Sequence, residues 1–382
     1  VAADRALVIG GTGPTGPFVV EGLVARGFDV TILHAGHHEV EFAVGDVRHI
    51  HADPHFPDSL AGGIGRERFD LVIAQYGRLA VVADTLAGRT DRLIALGGAA
   101  GFNAGGHDER WGPLGRPELF LESTPLLAHD EGPDRASKLR FRMAQALTTL
   151  FDHHDRGAYA ATYLGLALVY GPRNPGPFDW AIIRRALDRR RHFVIADGGL
   201  KLESRIYSEN AAHAILLAVD QPEIASGRRY NVTEGSLYSL RQRIEFVAHY
   251  LGHDFELVDL PFDLAWPCHP LWRHTRAHHV SSGDAIRHEL GYVDVVDPAE
   301  GYARTIEWLR AHPPAADSET ARQVGDPFDY AREDELITWW ERLSATLSPP
   351  IRALEAPGHQ YRHPTAPGEA WRPAGGRDTP RG

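Results

Sequence analysis

Residues 6–16 read Ala-Leu-Val-Ile-Gly-Gly-Thr-Gly-Pro-Thr-Gly. The apolar run Ala6–Ile9 has the length and bounds of a buried strand. Gly16–Arg26 carries Val19, Val20, Leu23 and Val24 at helical spacing. Between strand and helix, Gly10, Gly13 and Gly16 stand three apart. In such a junction the first glycine permits the tight turn. The second lets the backbone approach a pyrophosphate, and the third lets the helix pack close to the strand. The helix N-terminus then offers N–H groups and partial positive charge to phosphates. Thr12 and Thr15 add hydroxyl donors, with Pro14 between them. A lone glycine motif is weak evidence. Here a second apolar run, Val30–Leu33, follows within one βαβ length, which is the context of a dinucleotide-binding loop.

Outward from this loop the alternation continues. Apolar runs at Leu71–Ala74 and Leu93–Leu96 flank a helical stretch, Leu79–Leu86. Strands separated by helices predict an α/β fold, a Rossmann-type doubly wound parallel sheet covered on both faces. Residues 102–133 are rich in Gly, Pro and charge and are expected to form a long loop or lid-like insertion. A long helix is predicted from about Asp134 to Asp152, and a strand over Ala160–Val169. Beyond Tyr170-Gly171-Pro172-Arg173 the pattern loosens into a smaller α+β region. Helices are expected at Trp180–Arg190, Glu209–Val219, Leu240–Leu251, Asp284–Leu290 and Pro298–Leu309, with a short strand at Tyr230–Val232. Residues 332–347 read as a last amphipathic helix carrying Trp339 and Trp340. The expected division is a nucleotide-binding domain over 1–173, joined by later segments, and a mainly substrate-binding region over 174–312. A helical extension over 313–347 and a tail over 348–382 follow. The tail is crowded with Pro, Gly, Arg and His and is expected to be disordered.

Composition narrows the function classes. The 382 residues are 43 % apolar and 24 % charged, enough apolar content for a sizeable core. A net charge of −11 argues against nucleic acid and membrane surfaces as partners, since both reward clustered Lys and Arg. The runs Arg184-Arg185 and Arg189-Arg190-Arg191 are read as a solvated helix face and its end. The one cysteine, Cys268, excludes an internal disulfide and a multi-thiolate zinc site. Neither a secretory pattern at Val1–Arg5 nor an apolar run of ~18 residues is visible. A cytoplasmic location is the expectation.

The ordered motifs extend well past the loop. Gly45-Asp46 and Asp53, Ala74-Gln75-Tyr76-Gly77, Val169-Tyr170-Gly171-Pro172-Arg173, the stretch 205–219, Tyr230-Asn231-Val232 with Ser239-Leu240, and residues 281–309 fall in sequence. Together they make the chain resemble the extended short-chain dehydrogenase/reductase superfamily, in its epimerase/dehydratase branch, over roughly the first 310 residues. The resemblance implies an NAD(P)-dependent oxidoreductase acting on a small or medium alcohol, ketone or sugar-like substrate. It implies that Gly10, Thr12, Gly13, Pro14, Thr15 and Gly16 hold the pyrophosphate and that Asp53 approaches the adenine. Ala74 and Gln75 then lie at the fourth-strand turn, Gly97 at the fifth strand end, and Lys138 at the nicotinamide ribose. Homodimers are common in that superfamily, so a homodimer is an allowed state here.

The second strand ends at His34, where an NAD enzyme usually has an Asp or Glu for the ribose hydroxyls. The missing carboxylate leaves room for a 2′-phosphate, a slight preference for NADP over NAD. His37, His38 and Arg48 are further candidates to meet it. The superfamily's Tyr-x-x-x-Lys puts phenol and ammonium on one helical face, and the Lys lowers the phenol pKa for proton transfer. The matching stretch here is Asp134-Arg135-Ala136-Ser137-Lys138. Lys138 is kept, but Asp134 stands at the tyrosine position, and the fifth strand ends in Gly97-Gly98-Ala99-Ala100 without a hydroxyl. Asp134 reads as a helix N-cap or first-turn residue before it reads as a catalyst. Tyr76 and Tyr170, each just past a strand, are the other candidates for proton transfer, followed by His129, Asp130 and Glu131. Two alternatives stay open: an epimerase, dehydratase or lyase using transient oxidation, and a non-catalytic dinucleotide sensor.

The 22 histidines include the adjacent pairs His37-His38, His153-His154 and His278-His279. Neighbouring residues point in different directions, so such pairs chelate poorly, and no metal site is expected from them. The segment Trp266-Pro267-Cys268-His269-Pro270-Leu271-Trp272 is read as either packing or an apolar pocket wall.

Overall fold

The computed structural model describes residues 3–36, 40–45, 47–99, 117–126, 135–272, 275–347 and 367. Asp134, His37, His38, Asp46, His129, Asp130, Glu131 and nearly all of the tail lie outside the described residues. The chain divides into two compact units, Val1–Glu333 and Asp334–Gly382.

The first unit opens with β1 (Arg5–Ile9), α1 (Gly16–Ala25), β2 (Asp29–His34), β3 (Arg48–His51), α2 (Pro57–Ile64), β4 (Phe69–Ala74), α3 (Leu79–Leu86) and β5 (Thr90–Gly98). It continues through β6 (Leu119–Phe120), α4 (Arg135–Asp155), β7 (Ala160–Leu166), β8 (Leu168–Tyr170), α5 (Trp180–Leu187), β9 (His192–Ala196), β10 (Arg205–Tyr207) and α6 (Ser208–Asp220). Then come α7 (Pro222–Ala225), β11 (Arg228–Val232), α8 (Leu240–Tyr250), β12 (Glu256–Leu260), α9 (Phe262–Ala265), β13 (Val280–Ser281), α10 (Asp284–Leu290), α11 (Pro298–Ala311) and α12 (Glu319–Val324). The last helix, α13, spans Tyr330–Ala345.

Seven strands form one parallel sheet in the order β11-β7-β5-β4-β1-β2-β3. Its central strands are apolar because both faces are covered. Ala6 to Ile9 are fully buried. On one face Val19, Val20 and Leu23 of α1 pack with Ala211, Ile215 and Ile286. On the other face Leu60 of α2, Val82 of α3 and Leu147 and Leu150 of α4 pack with Leu7, Val72 and Leu93. The fold is the Rossmann-type doubly wound sheet that the alternating pattern predicts.

Two local expectations are corrected, one strand was not foreseen, and one open reading is narrowed. The single strand expected over 160–169 is two: β7 lies in the main sheet, while β8 pairs with β10. The chain leaves the main sheet at Ala167, whose N–H donates to Val232 O. β3 carries no apolar run, and only Ile50 of its four residues is buried, so edge position rather than hydrophobicity defines it. The basic run is not a solvated face throughout. Arg185 is fully buried, donating to Asp326 at 2.6 Å and to Glu333. The segment Trp266–Trp272 forms two short 3-10 turns in which Cys268, His269 and Leu271 are buried, which favours packing over a pocket wall.

Candidate nucleotide site

Residues Ile9 of β1 and Ala74 of β4 are register partners, and both strands end there. From β1 the sheet runs to β2 and β3 on one side and to β4 and β5 on the other. This is the reversal in strand order whose crevice, outside the carboxyl ends, holds ligands in doubly wound sheets. Backbone bonds fix the rim. Gly10 N–H donates to Leu33 O at 2.8 Å, and Gln75 N–H donates to Ile9 O at 2.9 Å.

The glycines of the loop have different physical reasons. Gly10 has φ +103°, a conformation that side chains rarely adopt, and its missing Cβ would stand 3.2 Å from Tyr76 Cβ. A Cβ on Gly16 would collide with the carbonyl of Gly11. Both are required by the chain itself. Gly13 is different. Its φ is not in the left-handed region, and a Cβ there would meet nothing within 4 Å among the described residues. Neither backbone strain nor packing within the protein asks for glycine at 13. The space beside it suits a group that must approach the backbone closely, as a pyrophosphate does.

Thr15 and Gln75 also behave differently from a simple list of donors. Thr15 is 7 % exposed, and its hydroxyl donates to Gln75 Oε1 at 2.5 Å. It therefore braces the neighbouring strand end. This contact leaves the Gln75 amide NH2 buried with no hydrogen-bond partner among the described residues. A buried unpaired donor costs about 1–3 kcal/mol, and a ligand oxygen in the crevice would remove that cost. Thr12 and Pro14 are partly exposed on the loop. The residues present thus fit a dinucleotide.

The other expected site residues scatter. His34, at the end of β2, is 4 % exposed, and its Nε2 lies 3.1 Å from His49 Nδ1. Asp53 Oδ1 accepts from the backbone N–H of His55 at 2.9 Å and contacts the His55 ring nitrogen at 2.8 Å. Tyr76, half exposed, sets its ring edge-on to His55 at 4.8 Å, so Asp53, His55 and Tyr76 form one group at the rim. Gly97 is small because the Tyr163 ring lies over it, and Tyr163 donates to Gly98 O at 2.8 Å. Packing, rather than approach to a ligand, accounts for that glycine. Lys138 is exposed in the first turn of α4.

Tyr170, expected at the cleft rim, is 1 % exposed. Its hydroxyl donates to Glu234 Oε1 at 2.6 Å, and its ring stacks on Tyr302 at 4.4 Å. Burial and the nearby Glu234 charge push the phenol far above its ordinary pKa. It is a structural residue rather than an acid facing substrate. Burial also pushes the Glu234 carboxyl up to about 7, against the Tyr170 and Tyr207 bonds that lower it.

The sequence pairs of histidine do not make the cluster that forms. His153 contacts Asp84 at 2.8 Å, and His278 Nδ1 accepts from Leu202 N–H at 3.0 Å. Instead His34, His49 and His51 converge across β2 and β3. The signal for it was His49-Ile50-His51, an alternation that places two imidazoles on one face of a strand. A groove of about 540 Å³ lined by Glu122, Leu147, Phe151, Arg228 and Glu289 lies at the opposite, amino-terminal end of β11, away from this crevice.

No family model matches the chain. It is 30 % identical over 160 residues to the uncharacterized protein YbjS of Escherichia coli K12, covering 36 % of this chain and 48 % of that one. It is 23 % identical over 238 residues to 3beta-hydroxysteroid-dehydrogenase/decarboxylase isoform 3 of Arabidopsis thaliana, covering 54 % and 42 %. The matches span about half the length of these curated relatives or less. Among solved structures it is similar to UDP-glucose 4-epimerase of Thermotoga maritima, determined with UDP-glucose. There the TM-score is 0.63 at 17 % identity, covering 81 % of this chain and all of that one. An epimerase of Methanothermobacter thermautotrophicus gives 0.62 at 16 %, covering 81 % and 93 %. The dTDP-glucose 4,6-dehydratase of Bacillus anthracis, determined with NAD, gives 0.60 at 14 %, covering 81 % and 97 %. The chain has the Rossmann-type fold that these epimerase and dehydratase structures share.

Proposed function

We propose that the chain is an NAD(P)-dependent enzyme of the atypical extended short-chain dehydrogenase type, acting on a small or medium alcohol, ketone or sugar-like substrate. The observation that carries this reading is Gly13, a glycine that the protein's own backbone and packing do not need, at the switch point of the sheet. The unpartnered Gln75 amide at the same rim supports it. When bound, a nicotinamide ring supplies or accepts hydride. In this reading the backbone of residues 10–16 holds the diphosphate, and the Gln75 amide donates to a ligand oxygen. Lys138 orients the ribose. Tyr76 is the exposed phenol at the rim left to hold or move a proton. The strand end at His34 lacks a carboxylate to repel a 2′-phosphate, which favours NADP over NAD.

Two features favour a second reading, in which the dinucleotide is held without net redox turnover. Asp134 takes the tyrosine place in the sequence, and Tyr170 is locked against Glu234. Titration of the purified protein with NADPH and NADH, read by nicotinamide fluorescence, tests the shared premise. Enhanced emission lost in Gly13→Val supports it. No heat with any nicotinamide nucleotide by calorimetry overturns it. A screen of alcohols, ketones and nucleotide sugars then separates the readings. Net change in NAD(P)H marks an oxidoreductase, and product without net change marks transient oxidation. Binding with no turnover, unaltered by Asp134→Tyr, marks a sensor.

A further inference from the structure

The three histidines at the β2–β3 edge carry an inference that does not depend on the dinucleotide. In the parallel ladder His34 is the register partner of His51, and His49 precedes His51 by two residues. Strand geometry therefore puts all three imidazoles on one face of the sheet. The rings confirm the placement. Centroids lie 5.1 Å apart for His34–His49, 4.9 Å for His34–His51 and 6.3 Å for His49–His51, each pair edge to face. One ring nitrogen from each falls within 4.8 Å of the other two. His34 Nε2 and His49 Nδ1 are 3.1 Å apart.

We infer that His34, His49 and His51 form a binding site for a divalent first-row transition cation such as zinc. Zinc–imidazole bonds of about 2.0–2.1 Å in a tetrahedron place ligand nitrogens roughly 3.4 Å apart. The His34–His49 pair is already near that separation, and a His51 nitrogen lies within 4.8 Å of both. Imidazole is the ligand type that suits zinc, copper and nickel over calcium or magnesium. The burial is graded as a site with an entry path requires. His34 is buried, His49 half-buried and His51 exposed on the edge strand. Phe42 flanks His49 edge-on at 6.3 Å and supplies an apolar wall. Three protein ligands leave the fourth position to water or an exogenous group, the arrangement of an open rather than a closed zinc site.

Loading has one structural consequence. His34 Nδ1 accepts from Gly36 N–H at 3.2 Å, so a neutral ring in that arrangement carries its proton on Nε2, facing His49. A cation takes the place of that proton. The His34 proton then moves to Nδ1, and the long Gly36 contact is given up.

The test uses the full chain after chelator treatment and dialysis. Zn2+ binding is followed by calorimetry, and Co2+ binding by the visible absorption of a tetrahedral site. The expected result is one saturable equivalent and an intense cobalt spectrum. His49→Ala and His51→Ala should each weaken binding by more than the roughly 10–100-fold that loss of an outer partner costs. The paired change of exposed His249 and His312 to Ala controls for scattered surface histidine and should alter nothing. His34 is buried and its removal can disturb folding, so the two β3 variants, checked by circular dichroism, carry the test. Gly13→Val should retain the cation, which separates this site from the nucleotide loop. Weak, non-saturating uptake equal in wild type and both β3 variants would overturn the proposal and leave a hydrogen-bonded packing cluster only.

Discussion

The hydroxyl of Tyr170 donates to Glu234 Oε1 across 2.6 Å in the core of the first unit. The same carboxylate oxygen accepts the backbone N–H of Tyr207 at 2.9 Å. The pair holds the end of β8 against the segment after β11. Tyr170→Phe should therefore cost about 1–3 kcal/mol in urea unfolding, the loss of one buried bond to a charged or polar partner. Nicotinamide binding should stay at the wild-type level. A variant that melts normally but loses turnover would instead restore Tyr170 as a catalytic residue.

Glu234 gives the fold a definite pH response. Its carboxyl titrates at about 7 in the folded protein, raised first by burial, against an ordinary value of 4.5. Between those values the folded chain holds a proton that the unfolded chain has lost. The contribution to stability is fully present below about pH 4.5 and is lost as pH rises through about 7. At roughly 1.4 kcal/mol per pKa unit, its size is on the order of 3 kcal/mol. Glu234→Gln should remove this component, seen as a smaller fall in unfolding free energy from about pH 5 to about pH 8. Tyr170→Phe removes a bond that favours the charged carboxylate, so it should move the loss to higher pH. An unchanged pH profile in Glu234→Gln would refute the assignment.

Gly13 and Gly16 should part company under mutation. A Cβ at 16 collides with the Gly11 carbonyl, so Gly16→Ala should destabilise by about 1–3 kcal/mol through overpacking at the loop. A side chain at 13 meets open space, so Gly13→Val should melt within about 1 kcal/mol of wild type while losing nicotinamide binding. Thermal melting and fluorescence titration on the same samples check both halves. Equal stability losses at the two positions would mean that Gly13 serves the fold after all.

The contrast between these glycines also shows what was legible in the sequence. The spacing of Gly10, Gly13 and Gly16 between an apolar run and a helical one was enough to place the loop and the parallel sheet. Buried strands such as Ala6–Ile9 advertise themselves because both faces are covered. The edge strand Arg48–His51 does not, because its stability comes from ladder bonds to β2 rather than from its own side chains. Tyr170 could not be separated from a rim residue by sequence alone. Its burial depends on Glu234 and Tyr302, which are 64 and 132 positions away. The histidine cluster was hidden for the same reason. One member lies on β2 and two on β3, and only the strand register joins them.

Arg185 makes the strongest stability prediction. Its guanidinium is buried and donates to Asp326 at 2.6 Å and to Glu333, tying α5 to the segment that follows α12. The paired charges hold the Arg185 proton more firmly than usual despite desolvation. Arg185→Met would keep much of the side-chain volume but strand the Asp326 carboxylate and leave Glu333 only its longer 3.7 Å contact with Arg190. The cost should be about 3–5 kcal/mol, as for removing one partner of a buried ion pair. Adding Asp326→Asn and Glu333→Gln to that variant should regain part of the loss, because the stranded charges are then gone. Urea unfolding of the single and triple variants measures both steps. If the triple variant were less stable than the single one, hydrogen bonding at Asp326 and Glu333, rather than charge pairing with Arg185, would be what holds the segment.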